Sequence, residues 1–214
     1  TSSNGTTWTS VSVGDTGNSW TSVTSPTANS LYGVTYGNNT FVVVGLSGTI
    51  VRSTDNGSSF STMTSPTTNH LWGVTFGNNT FVTVGWSGTI LRSTDNGTTW
   101  NNATSQTGEN LYGITFGNNT FVGVGNSGNI VRSTDNGSSW DNATSRTGNN
   151  LKGVTFGNNT FVAVSDGGTI VRSTDNGSSW DNATSPTANV LYGVIFGNNT
   201  FVGVGLSGNI IRST

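Results

Sequence analysis

The segment LYGVTYGNNTFVVVGLSGTIVRSTDNGSSF begins at Leu31, and near-copies begin at Leu71, Leu111, Leu151 and Leu191, with a period of 40 residues and no insertion or deletion. A period of this length means a stack of supersecondary units, none of which can bury its apolar face alone, so the fold is argued from the unit. In the first unit, Leu31 to Tyr36 has the β-rich composition of a strand, and Gly37-Asn38-Asn39 is a tight-turn signal. Thr40 to Val44 reads as a second strand, Gly45-Leu46-Ser47-Gly48 as a turn, and Thr49 to Thr54 as a third strand. Asp55 to Ser59 turns the chain again, Phe60 to Met63 makes a short fourth strand, and Thr64 to His70 links to the next unit. Four short antiparallel strands in each repeat are the pattern of a propeller blade.

The chain reaches Arg212-Ser213-Thr214 where every other copy continues into Asp-Asn-Gly. Asp15 to Trp20 lies one period before Asp55 to Phe60, so this N-terminal segment is expected to supply the outer strand of the last blade. The expectation is an all-β, five-bladed β-propeller with four antiparallel strands per blade, forming one domain over residues 1–214. Residues 1–14 are surplus to that count, and Ser2 to Trp8 is a degenerate copy that competes for the closing role. Asp15 to Trp20 is preferred because it alone keeps the aspartate and the spacing.

Charged residues make up 7% and hydrophobic residues 31% of the chain, yet the apolar ones recur in short Val/Ile/Phe runs, so each unit has a core to bury. The net charge of −2 argues against nucleic acid, which needs a basic patch. No apolar run is long enough to span a membrane. The absence of cysteine excludes a disulfide frame and a thiolate nucleophile or metal site. The chain opens at Thr1 without Met, which suggests that a leader or preceding domain was removed. A polar, cysteine-free chain rich in Ser, Thr and Asn fits a bacterial secreted, surface or periplasmic protein, and a monomer is expected.

STDNGSSF at Ser53 to Phe60, STDNGTTW at Ser93 to Trp100, and STDNGSSW at Ser133 to Trp140 and Ser173 to Trp180 share one pattern, Ser-x-Asp-x-Gly-x-(Ser/Thr)-(Trp/Phe). It resembles the Asp-box, or bacterial neuraminidase repeat. Together with the GNNTFVxVG segments, the chain is similar to propellers related to the photosystem II stability/assembly factor family. The resemblance implies a hairpin in which the carboxylate accepts backbone N–H bonds, glycine supplies a positive φ and the aromatic packs beneath. In Asp-box families this hairpin lies away from the active site, so it implies architecture and not chemistry.

The sialidase reading that the motif suggests needs three convergent arginines and a tyrosine–glutamate pair. Here Arg52, Arg92, Arg132, Arg172 and Arg212 repeat as one position, and Glu109 is the only glutamate. A symmetric ring of arginines reads as structural, with stems on the outer aromatics or bonds to carbonyls of neighbouring blades. Asp166 and Glu109 lie outside the repeated pattern, but their spacing in sequence does not establish an acid–base pair. His70, the only histidine, reads as a solvated loop residue, and no metal or cofactor is expected. The chain is therefore read as not an enzyme.

In an up-and-down blade, turns alternate between the two ends. The turns after the first and third strands are nearly invariant, whereas the other end collects the differences. The second-strand turn carries Leu46, Trp86, Asn126, Asp166 and Leu206; the residue after the first leucine is Tyr32, Trp72, Tyr112, Lys152 or Tyr192. Beside them stand Ser30, His70, Asn110, Asn150 and Val190. Aromatic and mixed polar residues round one rim make a candidate surface for glycan or protein, because Tyr and Trp offer flat faces to sugars and anchors to proteins. The other reading is a structural or assembly scaffold, or a recently amplified or engineered repeat, without a small ligand.

Overall fold

The computed structural model describes residues 17 and 19–213; Asp15, Thr16 and Asn18 of the expected closing segment, and the competing copy at Ser2 to Trp8, lie outside them. The first sheet is an antiparallel meander of Leu31–Gly37, Thr40–Gly45, Ile50–Ser53 and Ser61–Thr62. The second, third and fourth sheets repeat it, and the fifth has three strands, Leu191–Gly197, Thr200–Gly205 and Ile210–Arg212. The first hairpin turns through Asn38 and Asn39 at φ 48° and 56°. Two successive positive φ values are what a two-residue loop needs to match strand twist, and asparagine tolerates them better than other side chains do.

First strands of consecutive sheets lie side by side, and the cores fill the gaps between sheets. Each sheet therefore has one face toward the next sheet and one toward the preceding sheet. Val42, Val44 and Ile50 of the first sheet meet Leu71, Phe81, Leu91 and Trp100 of the second. The same set recurs one period later around Trp140 and again around Trp180. The Phe76 ring covers Gly37 so closely that a Cβ there would come within 2.1 Å of it. Phe116, Phe156 and Phe196 cover Gly77, Gly117 and Gly157 in the same way. Glycine at this position is what lets neighbouring first strands approach.

The two ends of the row are uncovered among the described residues. On the first sheet, Val34 and Tyr36 are 65% and 51% exposed; on the fifth, Ile210 is 75% exposed, although its counterpart Ile50 is fully buried. Trp20 is 91% exposed and Thr21 to Val23 form no strand, so in this structure the N-terminal segment is not joined to the fifth sheet. Instead, Thr21 to Thr24 and Pro26 border a shallow groove shared with Ser58, Ser59 and Phe60 of the first sheet.

Candidate functional site

The residue after the first leucine of each unit owes its direction to a fault in the strand pairing. Leu31 pairs with Gly45 and Gly33 with Val44, which leaves Tyr32 unopposed. The same slip leaves Trp72, Tyr112, Lys152 and Tyr192 unopposed in the other sheets. An extra residue of this kind bends the strand and re-aims one side chain. In consecutive sheets these side chains touch. Tyr32 stacks on Trp72 at 4.4 Å between ring centroids, Trp72 meets Tyr112 edge-on at 6.2 Å, and Lys152 Nζ lies 4.8 Å above the Tyr112 ring.

The second-strand turns join this arc. Each begins a 3-10 turn, and the peptide N–H of Leu46 donates to Ser30 O at 2.8 Å, which ties the turn to the link at the same end of the sheet. Tyr112 Oη donates to Asn126 Oδ1 at 2.7 Å, and Lys152 Nζ pairs with Asp166 at 3.4 Å. Asn150 Nδ2 also donates to Asp166, at 3.1 Å. Trp86 is partly exposed and lies against the His70 ring, with 3.9 Å between centroids. Leu206 and Tyr192, on the fifth sheet, are exposed, and Tyr192 joins no aromatic pair among the described residues. The two variable sets thus meet in the third and fourth sheets, and the arc extends from there through Trp72 to Tyr32 at its edge. Asp166 is already engaged by a cation and an amide. Trp72 Nε1 is buried with no acceptor among the described residues.

His70 differs from its sequence reading as a solvated loop residue. It is half-buried, and its Nδ1 accepts the Ser47 peptide N–H of the preceding sheet at 3.0 Å. Asn110 Oδ1 and Asn150 Oδ1 accept from Ser87 and Ser127 in the same way, both at 2.9 Å. Part of the variation at this position is therefore a choice among acceptors that satisfy a turn. Sequence gave no sign of it, because the donor lies 23 residues away in the neighbouring sheet.

The opposite end is occupied by structure. In the third sheet, Asp135 Oδ1 accepts from Ser133 Oγ and from the Ser138 and Ser139 peptides, while Oδ2 accepts from Ser139 Oγ at 2.6 Å. The hydroxyls of Ser59 and Ser179 are the main cause that holds Asp55 and Asp175 down at about 2. Slight burial pushes Asp95 and Asp135 up, but hydrogen bonds, chiefly from Thr99 and Ser139, outweigh it and leave these carboxyls at about 2 as well. The hairpins also clamp neighbouring sheets. Asn96 Nδ2 donates to buried Thr40 Oγ1 at 2.7 Å, and Arg52 Nε donates to Asn96 O at 2.7 Å. Arg92 repeats the second bond with Asn136 O at 3.2 Å. Among the described residues, no group of three or more His, Asp or Glu side chains is placed to hold a metal ion, and no helix is long and apolar enough to cross a membrane.

No family model matches the chain, and no curated protein sequence does. Solved structures do match. YCF48 from Cyanidioschyzon merolae is 16% identical with a TM-score of 0.69, over 89% of this chain and 69% of that one. A structure of YCF48 bound to D1 peptide is 20% identical with a TM-score of 0.71, over 88% of this chain and 64% of that one. A catalytically inactive virginiamycin B lyase from Staphylococcus aureus with quinupristin is 19% identical, with a TM-score of 0.73, over 89% of this chain and 72% of that one. The fold is of the propeller type. At these identities the likeness extends to the fold alone, and the chain spans about two thirds of the length of the YCF48 structures.

Proposed function

We propose that the chain is a non-catalytic, five-bladed propeller of the Asp-box type that holds a segment of a partner protein against its aromatic mouth. The observation that carries this reading is the continuous arc Tyr32–Trp72–Tyr112–Lys152, with each member re-aimed by the same slip in pairing and touching the next. Flat, rigid rings supply contact area at little entropic cost, and such residues dominate binding energy at protein interfaces. The Lys152–Asp166 pair adds one cation and one anion at the edge of the arc, suited to the alternating donors and acceptors of a peptide. A propeller of the same fold has been solved with a peptide bound, which supports this choice of ligand class.

A peptide array probed with the wild-type protein and with Trp72→Ala tests the reading, with a glycan array run in parallel. Selective peptide binding that weakens about thirtyfold in the variant is expected, since a central aromatic anchor is worth about 2 kcal/mol or more. Peptide binding unchanged by Trp72→Ala would remove the arc from the site, and a saccharide signal alone would replace the ligand class.

A further inference from the structure

A cavity of about 370 Å³ opens between the fourth and fifth sheets. Val162, Val164 and Ile170 line it from one side, and Phe201, Gly203 and Ile211 from the other. One sheet earlier the equivalent positions are Val122, Val124, Ile130, Phe161, Ala163 and Val171, and they enclose Trp180. Each of these six positions has its counterpart in that filled cluster, but no tryptophan lines the cavity. We infer that the cavity is the seat of the chain's own Trp20, and that Thr21 to Val23 complete the fifth sheet as its outer strand. The inference rests on the propeller reading proposed above and adds the device that shuts the ring.

Trp20 lies one period before Phe60, at the position that Trp100, Trp140 and Trp180 fill in their own sheets. The polar wall agrees. Thr160 and Arg172 line the cavity, and their counterparts Thr120 and Arg92 receive and donate hydrogen bonds to the hairpin that carries the next tryptophan. The far side of the fifth sheet points the same way. Gly197 and Gly208 have open space where a Cβ would stand, whereas Gly157 is covered by Phe196 and Gly168 by the Thr187 carbonyl. The periodic occupants of those two sockets are Tyr36 and Thr27. Ile195, 68% exposed on the same face, stands where the other four copies have threonine, so the one apolar replacement lies on the uncovered side.

The seven-residue link Thr24 to Ser30 has the length of every other link, which lets the segment act in its own ring at the high effective concentration of a tethered group. The pairing register is fixed by the third and fourth sheets, where Ile130 faces Ala143 and Ile170 faces Ala183; the period then sets Ile210 opposite Val23.

The chain has no cysteine, so a Val23→Cys/Ile210→Cys double variant reports this pairing alone. An Ile130→Cys/Ala143→Cys variant serves as the positive reference. Mild oxidation is expected to give a disulfide within one chain, seen as a faster-migrating monomer and absent from either single variant. A disulfide-linked dimer whose yield rises with concentration would assign the seat to a second copy and overturn the inference. No cross-link under conditions that close the reference pair would overturn it too. A second measurement is the melting temperature of Trp20→Ala, which should fall by several degrees if the side chain is seated and stay unchanged if it is not. Neither readout involves Trp72, so failure of the peptide array leaves this test standing, and the reverse holds.

Discussion

At the scale of single residues, the hairpin aspartates make the fold sensitive to acid. Asp55, Asp95, Asp135 and Asp175 sit at about 2, against an ordinary value of 3.8. A carboxyl held below its unfolded value contributes stability that is complete above the unfolded value and lost as pH falls through the folded one. The melting temperature is therefore expected to hold down to about pH 4 and to drop between about pH 4 and pH 2. A variant with all four aspartates changed to asparagine should show a shallower drop. A wild-type profile flat across that window would mean that these hydrogen bonds do not distinguish folded from unfolded chain. The hairpin geometry was legible in sequence because serine, aspartate and glycine each have one backbone task there. The acceptor role of His70 was not, because it depends on a partner in another unit.

At the scale of elements, stability is concentrated between sheets, where the outer aromatics lock each hairpin over its neighbour. Trp140 is buried between the second and third sheets, and its Nε1 donates to Gly137 O at 3.2 Å. Trp140→Ala should cost about 3–5 kcal/mol in urea unfolding, as large-to-small core changes of this size do; a loss under about 1 kcal/mol would place the main core elsewhere. The order of strands and turns followed from turn chemistry and the period. Sequence put the third strand at Thr49 to Thr54 and the fourth at Phe60 to Met63, whereas in the first sheet they run Ile50–Ser53 and Ser61–Thr62. Phe60 falls outside the fourth strand, at the end of the hairpin. The slip at Tyr32 escaped prediction because it is a property of two paired strands: the first strand alone carries the usual alternation. That slip brings Trp72, Tyr112 and Lys152 into contact, so the residues of the arc could be named from sequence as one end of the sheets, and their contacts could not.

At the scale of the whole molecule, near-identical units pose a problem of register. Every aromatic plug fits every seat, and every Phe–Gly socket matches every other, so a folding chain has several nearly equivalent ways to assemble. Several positions break that equivalence through a single copy each, and three of them are Tyr36 where the rest have phenylalanine, Phe60 where the rest have tryptophan, and Ile195 where the rest have threonine. All three lie on the two end sheets, Tyr36 and Ile195 on faces left uncovered. We expect them to act as labels that tell the end faces from the four junctions between consecutive sheets. Erasing them with Tyr36→Phe, Phe60→Trp and Ile195→Thr should leave the native contacts nearly unchanged while adding slow phases to refolding, read by stopped-flow fluorescence. Single-phase refolding at the wild-type rate would show that no label is needed. In a chain that repeats itself so closely, these three departures set the outermost sheets apart from the sheets between them.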